Sequence, residues 1–258
     1  MKNILITGAG SGIGLATARL FHERGWTVGL LELDPAALEA AAAQLGSERV
    51  WQQTVDVTDA AALKAAIDAF AEAQAGRLHC LFNCAGLLDI GRFEDVDLAR
   101  HERMMRVNVL GVLNGCHAAF PYLKATPGAR IVNMSSASAL YGVPQFASYS
   151  ASKFAVRGLT EALNLEWAEH DITVSDIMPP FVSTNMLHSQ GERPPILNRM
   201  GGHLAPEQVA AAVWAAQRSR TVHRPVGLRF ATTLWSSQIA PSALVRAIMG
   251  WLSRPTAS

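Results

Sequence analysis

Cysteine, aromatic side chains and an excess of either charge are all scarce in this chain of 258 residues. Aromatics make up 7% of it, and Cys80, Cys84 and Cys116 are its only cysteines. An odd count argues against a disulfide framework and for reduced thiols in a cytosolic compartment. Long apolar runs are missing as well: none approaches the roughly 18 to 20 residues that cross a bilayer. The opening "MKNILITGAG" meets glycine almost at once, too early for the apolar stretch of about 7 to 15 residues in an export signal. A soluble, cytoplasmic protein is expected. Lys and Arg number 22 against 21 Asp and Glu, a formal net charge of +1 with no basic block. That leaves no electrostatic footprint for nucleic acid or an anionic membrane, so small molecules are the expected partners.

Half of the residues are apolar, enough for one large core, and α/β proteins often run this length as a single domain. The β-rich runs "NILITG", "TVGLLEL", "VWQQTVDV", "LHCLFNCAG", "ARIVNMSS" and "ITVSDIMP" alternate with helical patterns such as "PAALEAAAAQLG". That order predicts a parallel sheet with helices on both faces, a three-layer doubly wound α/β architecture spanning residues 1–258. Asp34 before Pro35 reads as a helix start, and Gly46 and Gly76 as stops. "HCLFNC" offers His79, Cys80 and Cys84 as metal ligands, but an extended run rising about 3.3 Å per residue would hold the two thiols about 13 Å apart. They read better as buried apolar residues, and no metal is expected. Residues 179–205 break the alternation with four prolines and three glycines. A stretch of that length is read as a substrate lid or, alternatively, as a mobile surface insertion.

The glycines of "ITGAGSGIGLATARLF", at positions 8, 10, 12 and 14, lie between the first strand and the first helix. Without Cβ atoms the backbone can approach a pyrophosphate, and the helix end supplies free N–H groups and a positive dipole. Gly8, Gly12 and Gly14, with Ser11 and Ile13 between them, fit T-G-x-x-x-G-x-G and not the usual G-x-G-x-x-G. A dinucleotide is the expected cofactor. Glu32 follows Gly14 by eighteen residues, near the offset of about 20 at which an acid binds the adenosine ribose hydroxyls. Its charge would repel the extra phosphate of NADP, and neither Ser11 nor Leu33 offers a cation, so NAD is favoured over NADP. Asp34 competes for this role, but its place before Pro35 suits capping better.

Within "YSASK", Tyr149 and Lys153 stand four residues apart in a long helical pattern, so both emerge on one face. Ser136, thirteen residues before the tyrosine, ends "ARIVNMSS" where parallel sheets present ligand-binding groups. A free tyrosine titrates near 10. Coulomb's law at an effective dielectric of about 20 gives roughly 4 kcal/mol for unit charges 4 Å apart, enough to move a pKa by about three units. Lys153, helped by an oxidised nicotinamide, would therefore bring Tyr149 towards working pH as an acid/base group.

The order and intervals of "TGAGSGIG", "NCAG", "VNVLG", the upstream serine and "YSASK" resemble the short-chain dehydrogenase/reductase family over about the first 185 residues. The glycine spacing is similar to that of its typical, non-extended subset. The resemblance implies that Ser136 holds the substrate oxygen, that Tyr149 transfers the proton, and that Lys153 binds the nicotinamide ribose while supporting Tyr149. Asn108 would complete a catalytic tetrad by helping to hold a water that links the lysine to solvent. Asn83, Ala85 and Gly86 would shape the floor beneath the cofactor. Asp56 and Val57 would contact adenine, and Pro179, Val182 and Thr184 would lie near the carboxamide. Pro180 replaces the usual glycine after Pro179, which leaves the entry angle of that loop open. The family's final strand and glycine pair are replaced by "RPVGLRFATTLWSSQIAPSALVRAIMGWLSRPTAS". Helical stretches at about 97–124 and 149–170 look intact and imply a homodimer, with a tetramer as the alternative.

The function implied is NAD-dependent interconversion of a secondary alcohol and a ketone. Leu88, Leu140, Tyr141, Val143, Phe146, Phe181, Met186 and Leu187 give the expected pocket an apolar lining and favour a hydrophobic or aromatic substrate. His188, Arg193, Arg199 and His203 leave a carboxylated substrate open. Rival readings are an NADP-linked carbonyl reductase of the same fold and a non-catalytic NAD-binding regulator. Three roles remain open for the amphipathic "PSALVRAIMGWLSR": packing on its own domain, touching a membrane surface, or covering the substrate cleft.

Overall fold

The computed structural model describes residues 1–184, 196, 204–227, 230–232 and 241–252. Strands β1 (Asn3–Thr7), β2 (Thr27–Glu32), β3 (Val50–Thr54), β4 (Cys80–Asn83), β5 (Arg130–Met134), β6 (Thr173–Met178) and β7 (His223–Pro225) form one sheet in the order β3-β2-β1-β4-β5-β6-β7. Every pairing is parallel, so all strands end at one edge. The connecting helices are α1 (Gly12–Glu23), α2 (Pro35–Leu45), α3 (Ala60–Ala73), α4 (Leu98–Met105), α5 (Gly111–Lys124), α6 (Ala147–Glu166) and α7 (Pro206–Ala216), with α8 (Ser242–Leu252) near the carboxyl end. No helix among the described residues is long and apolar enough to cross a membrane.

Strand alternation divides the core in two, because successive side chains leave opposite faces of the sheet. Ile4, Ile6, Val28, Leu30 and Phe82 pack on one face with Phe21 of α1, Leu38 of α2 and Val213 of α7. Leu5, Leu31, Leu81, Ile131 and Val174 pack on the other with Ile67 and Phe70 of α3, Leu123 of α5 and Val156 of α6. The expected three layers are present. Cys80 and Cys116 fall into the two separate cores, and burial pushes both thiols up to about 12.

Local chemistry sets the helix ends. Asp34 accepts the Ala36 N–H at 2.9 Å, and Asp59 accepts those of Ala61 and Ala62 at 3.0 Å, as N-capping requires. Gly46 closes α2 at a φ of 82°, a conformation that glycine adopts without a Cβ clash.

Two features depart from the sequence reading. A final strand is retained: β7 pairs Asp176 with His223, Ile177 with Arg224 and Met178 with Pro225. Its three residues carry no alternating apolar pattern, and ion pairs at His223 add to the backbone pairing. The His223 ring meets the fully buried Asp176 carboxylate at 3.1 Å and Glu161 of α6 at 2.9 Å. In addition, the helix expected over about 97–124 is continuous from 98 to 124 but carries an internal irregularity. A π turn over Arg106–Leu110 separates α4 from α5, the kind of interruption found at functional sites.

The His223 network makes stability depend on pH. Its hydrogen bond to Asp176 raises the imidazole above its ordinary 6.5, with Glu161 assisting, while burial and the Arg157 charge oppose the rise. Burial lifts the Asp176 carboxyl above its ordinary range even with His223 beside it. The folded state therefore binds the His223 proton more tightly than the unfolded chain does. That stabilisation is complete below 6.5 and fades as pH rises through the higher folded value. Melting curves taken between about pH 6 and pH 9 should show Tm falling with pH in the wild type, and His223→Gln should flatten that slope.

Candidate active site

The strand ends enclose a cavity of about 390 Å³, within the range of a small-molecule site. Its walls follow the carboxyl edge of the sheet: the glycine turn after β1, Glu32 at the end of β2, Val55–Thr58 after β3, Cys84–Leu88 after β4, Met134–Ser136 at β5, and Pro179–Val182 after β6. Tyr149 and Lys153 enter from α6. Ligands of doubly wound folds sit at this edge, where the strand order reverses, here between β1 and β4.

At the glycine turn, two loops approach too closely for side chains. A Cβ at Gly14 would lie 2.1 Å from the Gly8 carbonyl oxygen, and one at Gly8 would lie 2.8 Å from the Ala85 Cα. Thr7 secures that approach, its hydroxyl accepting the N–H groups of Cys84 and Ala85 at 3.0 and 3.1 Å. Gly8, Ser11, Gly12, Ile13 and Gly14 all face the cavity. So does Glu32, whose carboxylate accepts the Gly10 N–H at 3.1 Å and the Leu33 N–H at 2.8 Å. Asp34 is occupied as a cap, which leaves Glu32 as the acid at the rim. Asp56 accepts the Thr58 N–H at 2.8 Å, and Val57 lies beside it.

Opposite the glycine turn stands the Ser136, Tyr149 and Lys153 set. Ser136 accepts the Ser138 N–H at 3.1 Å, which fixes its hydroxyl at the start of a single 3₁₀ turn. Its hydrogen bond to Tyr149 favours the phenolate, yet burial dominates and holds the phenol above its ordinary 10. The Lys153 ammonium lies 5.4 Å from the Tyr149 ring centroid and donates to the Met134 carbonyl at 2.8 Å. Burial pushes its own pKa down to about 8. Without a bound dinucleotide, burial outweighs any help from the lysine, whereas the shift expected from sequence also calls on an oxidised nicotinamide. Desolvation opposes both charged forms.

Two expected site residues stand behind the cavity wall. Asn83 turns into the sheet, donating to Asn133 at 2.9 Å and to the Cys116 sulfur at 3.4 Å. Its register partner on β5 is that same Asn133, so the amide joins two strands and not the floor. Asn108, buried in the π turn, accepts the Leu87 N–H at 2.7 Å and donates to the Leu87 carbonyl at 2.9 Å and to the Ser152 hydroxyl at 3.1 Å. It buttresses the loop that carries Ala85 and Gly86.

Ala85, Gly86, Pro179, Val182 and Thr184 line the cavity, as do Leu88, Phe146 and Phe181 of the expected apolar pocket. Leu140 packs instead with Ala139, Met178 and Phe230, and Val143 is buried against Phe146 and Ile196. Tyr141 lies outside the lining. Most of the proposed lid, with Met186, Leu187, His188, Arg193, Arg199 and His203, lies outside the described residues. Arg103 and Arg106 also face the cavity. Residue type carries no signal for them, because an arginine on an amphipathic helix looks the same whether it meets solvent or a ligand.

Comparison with known proteins agrees with this geometry. Residues 2–195 match the short chain dehydrogenase family. The chain belongs to that family. It is 35% identical over 218 residues to a D-threitol dehydrogenase of Mycolicibacterium smegmatis, covering 82% of this chain and 84% of that one. It is 32% identical over 216 residues to a cyclohexanol dehydrogenase of an Acinetobacter species, covering 82% and 86%. A short chain dehydrogenase/reductase of Burkholderia phymatum in complex with NAD superposes with a TM-score of 0.82 at 28% identity, covering 100% and 97%. Matched structures hold NAD, NADH or 5-hydroxy-NADP. This member of the short chain dehydrogenases is thus an oxidoreductase with a nicotinamide site.

The tightest constraint in that site is testable. Gly14→Ala would drive a methyl group into a backbone carbonyl that cannot move without displacing Gly8. Such strain costs about 1 to 3 kcal/mol. Titration of nicotinamide dinucleotide by protein fluorescence should show affinity falling by about tenfold or more, with Tm reduced.

Proposed function

We propose that the protein is an NAD-linked dehydrogenase that interconverts a secondary alcohol and a ketone, acting on a hydrophobic or aromatic substrate. The observation that carries this reading is the Ser136 hydroxyl bonded to the Tyr149 phenol, with the Lys153 ammonium beside the ring. The names of two relatives, a D-threitol and a cyclohexanol dehydrogenase, support an alcohol as substrate. Glu32 at the rim supports NAD over NADP, because a carboxylate there opposes a ribose phosphate.

In this reading each side chain has one task. Ser136, oriented by the Ser138 N–H, holds the substrate oxygen beside Tyr149. Tyr149 takes the hydroxyl proton during oxidation and returns it during reduction. Lys153 commits one N–H to Met134 and keeps its others for the ribose hydroxyls of the cofactor. Asn108 holds the Leu87 loop against α6 and helps to keep a proton path from Lys153 to solvent. Pro179, Val182 and Thr184 bound the nicotinamide end, and Asp56 and Val57 the adenine end. A bound oxidised nicotinamide supplies the hydride acceptor and a positive ring, the charge that the phenol needs against its desolvation. Leu110, Leu113, Phe154 and Leu165, exposed along the π turn, α5 and α6, suit a homodimer.

Tyr149→Phe should lower kcat by about 10² to 10⁴-fold, the usual range for a lost acid/base group, while dinucleotide affinity stays within about threefold. A non-catalytic regulator would be indifferent to that substitution. Because the phenol starts above 10, alcohol oxidation should accelerate as pH rises above neutral and ketone reduction should be favoured at lower pH. Initial rates in both directions across a pH series check the sign. Glu32→Ala should narrow the preference for NAD over NADP by about tenfold; equal use of both by the wild type would remove Glu32 from this role.

A further inference from the structure

Helix α8 lies beyond residues 2–195, the part matched to the family, and its side chains fall into two stripes. Val245, Met249 and Leu252 are half-buried at i, i+4 and i+7, whereas Leu244 and Ile248 are about half exposed, at 52% and 49%. The helix is therefore seated by one face. Met249 and Leu252 pack into an apolar cluster that contains Leu88, Phe146, Tyr149 and Phe181. Those four side chains also line the cavity, so the inner face of α8 backs the wall on the side of the catalytic phenol.

We propose that α8 is a positioning element for substrate selection: Met249 and Leu252 hold the apolar wall in place and set the size of a compact, ring-like secondary alcohol. This rests on the dehydrogenase reading above and sharpens its substrate class. On this wall the Tyr149 phenol meets the Ser136 hydroxyl, beside the apolar side chains of Leu88, Phe146 and Phe181. A monohydric cyclic alcohol places its single oxygen there and its carbons against the wall. A polyol would bring further hydroxyls against the side chains of Leu88, Phe146 and Phe181, which carry no hydrogen-bonding group of their own. Methionine is unbranched and adaptable, so Met249 can yield to ring-sized differences that a stiffer side chain would reject.

The test is a ratio of kcat/KM values, which a purely structural contribution would leave unmoved. Cyclohexanol, cyclododecanol and D-threitol are assayed with NAD and with NADP. Wild type should prefer cyclohexanol to D-threitol by at least about tenfold. Met249→Ala combined with Leu252→Ala should raise the cyclododecanol-to-cyclohexanol ratio by about tenfold, and Met249→Phe should lower it. The outer-face variant Ile248→Ser should leave that ratio within about twofold. If the double variant fails to fold, Met249→Phe alone decides. An unchanged ratio in the inner-face variants, an equal shift from Ile248→Ser, or a wild-type preference for D-threitol overturns this inference while leaving the dehydrogenase intact. Absence of turnover with every alcohol and both cofactors overturns the dehydrogenase reading itself.

Discussion

The site depends on a buried cation that has no carboxylate among its described neighbours. Lys153 is 3% exposed and donates to the Met134 carbonyl at the end of β5. Burial disfavours its charge, and its pKa of about 8 measures that cost. A carboxylate in place of the carbonyl would ease the desolvation, but it would also cancel the positive field beside Tyr149. A carbonyl offers a partial charge, enough to fix the ammonium and too little to neutralise it. The same bond docks α6 on the sheet edge, which places Tyr149 within reach of Ser136. Gly86 packs closely on the same region: a Cβ there would sit 3.3 Å from the Asn108 oxygen and in ordinary contact with the lysine nitrogen at 3.9 Å.

Residues that meet one another through short sequence intervals are legible from the amino-acid order alone. The glycine turn needs only the sterics of a strand-to-helix corner, and Tyr149 with Lys153 needs only helical periodicity. Glu32 is legible from its offset, and Asp34 from its place before a proline. Asn83 is harder, although strand alternation contains the answer: Phe82 faces one core, so Asn83 must face the other, where a buried amide requires a partner such as Asn133. Nearness to the serine suggests Leu140 and Val143 for the pocket, but proximity along a loop does not say which way a side chain turns. The π turn around Asn108 has no signal in residue types, because it is a choice of backbone hydrogen bonds.

Electrostatics show a different kind of limit. A pairwise Coulomb estimate for tyrosine and lysine omits what both lose on leaving water. In the folded protein that loss dominates, raising the phenol and lowering the ammonium. The chain alone thus supplies orientation and a polar contact from Ser136. In the proposed reading, a bound oxidised nicotinamide would add the positive charge that favours the phenolate.

The carboxyl-terminal edge bears on the same centre from farther away. His223 joins Asp176 to Glu161, Glu161 accepts from Arg157 at 2.9 Å, and Arg157 donates to the Ala139 carbonyl at 3.3 Å. Ala139 closes the 3₁₀ turn that begins at Ser136. A three-residue edge strand with no apolar pattern is therefore tied, through these side chains as well as through its backbone pairing with β6, to the turn that carries the Ser136 hydroxyl. Removing His223 would leave Asp176 buried without its counter-ion while Glu161 keeps its pair with Arg157, so the penalty would fall on β6 and β7 first. This is how β7 can lack the apolar pattern of a strand and still be held in register: its backbone pairs with β6 from Asp176 to Met178, and the contact of His223 with Asp176 adds a side-chain tie.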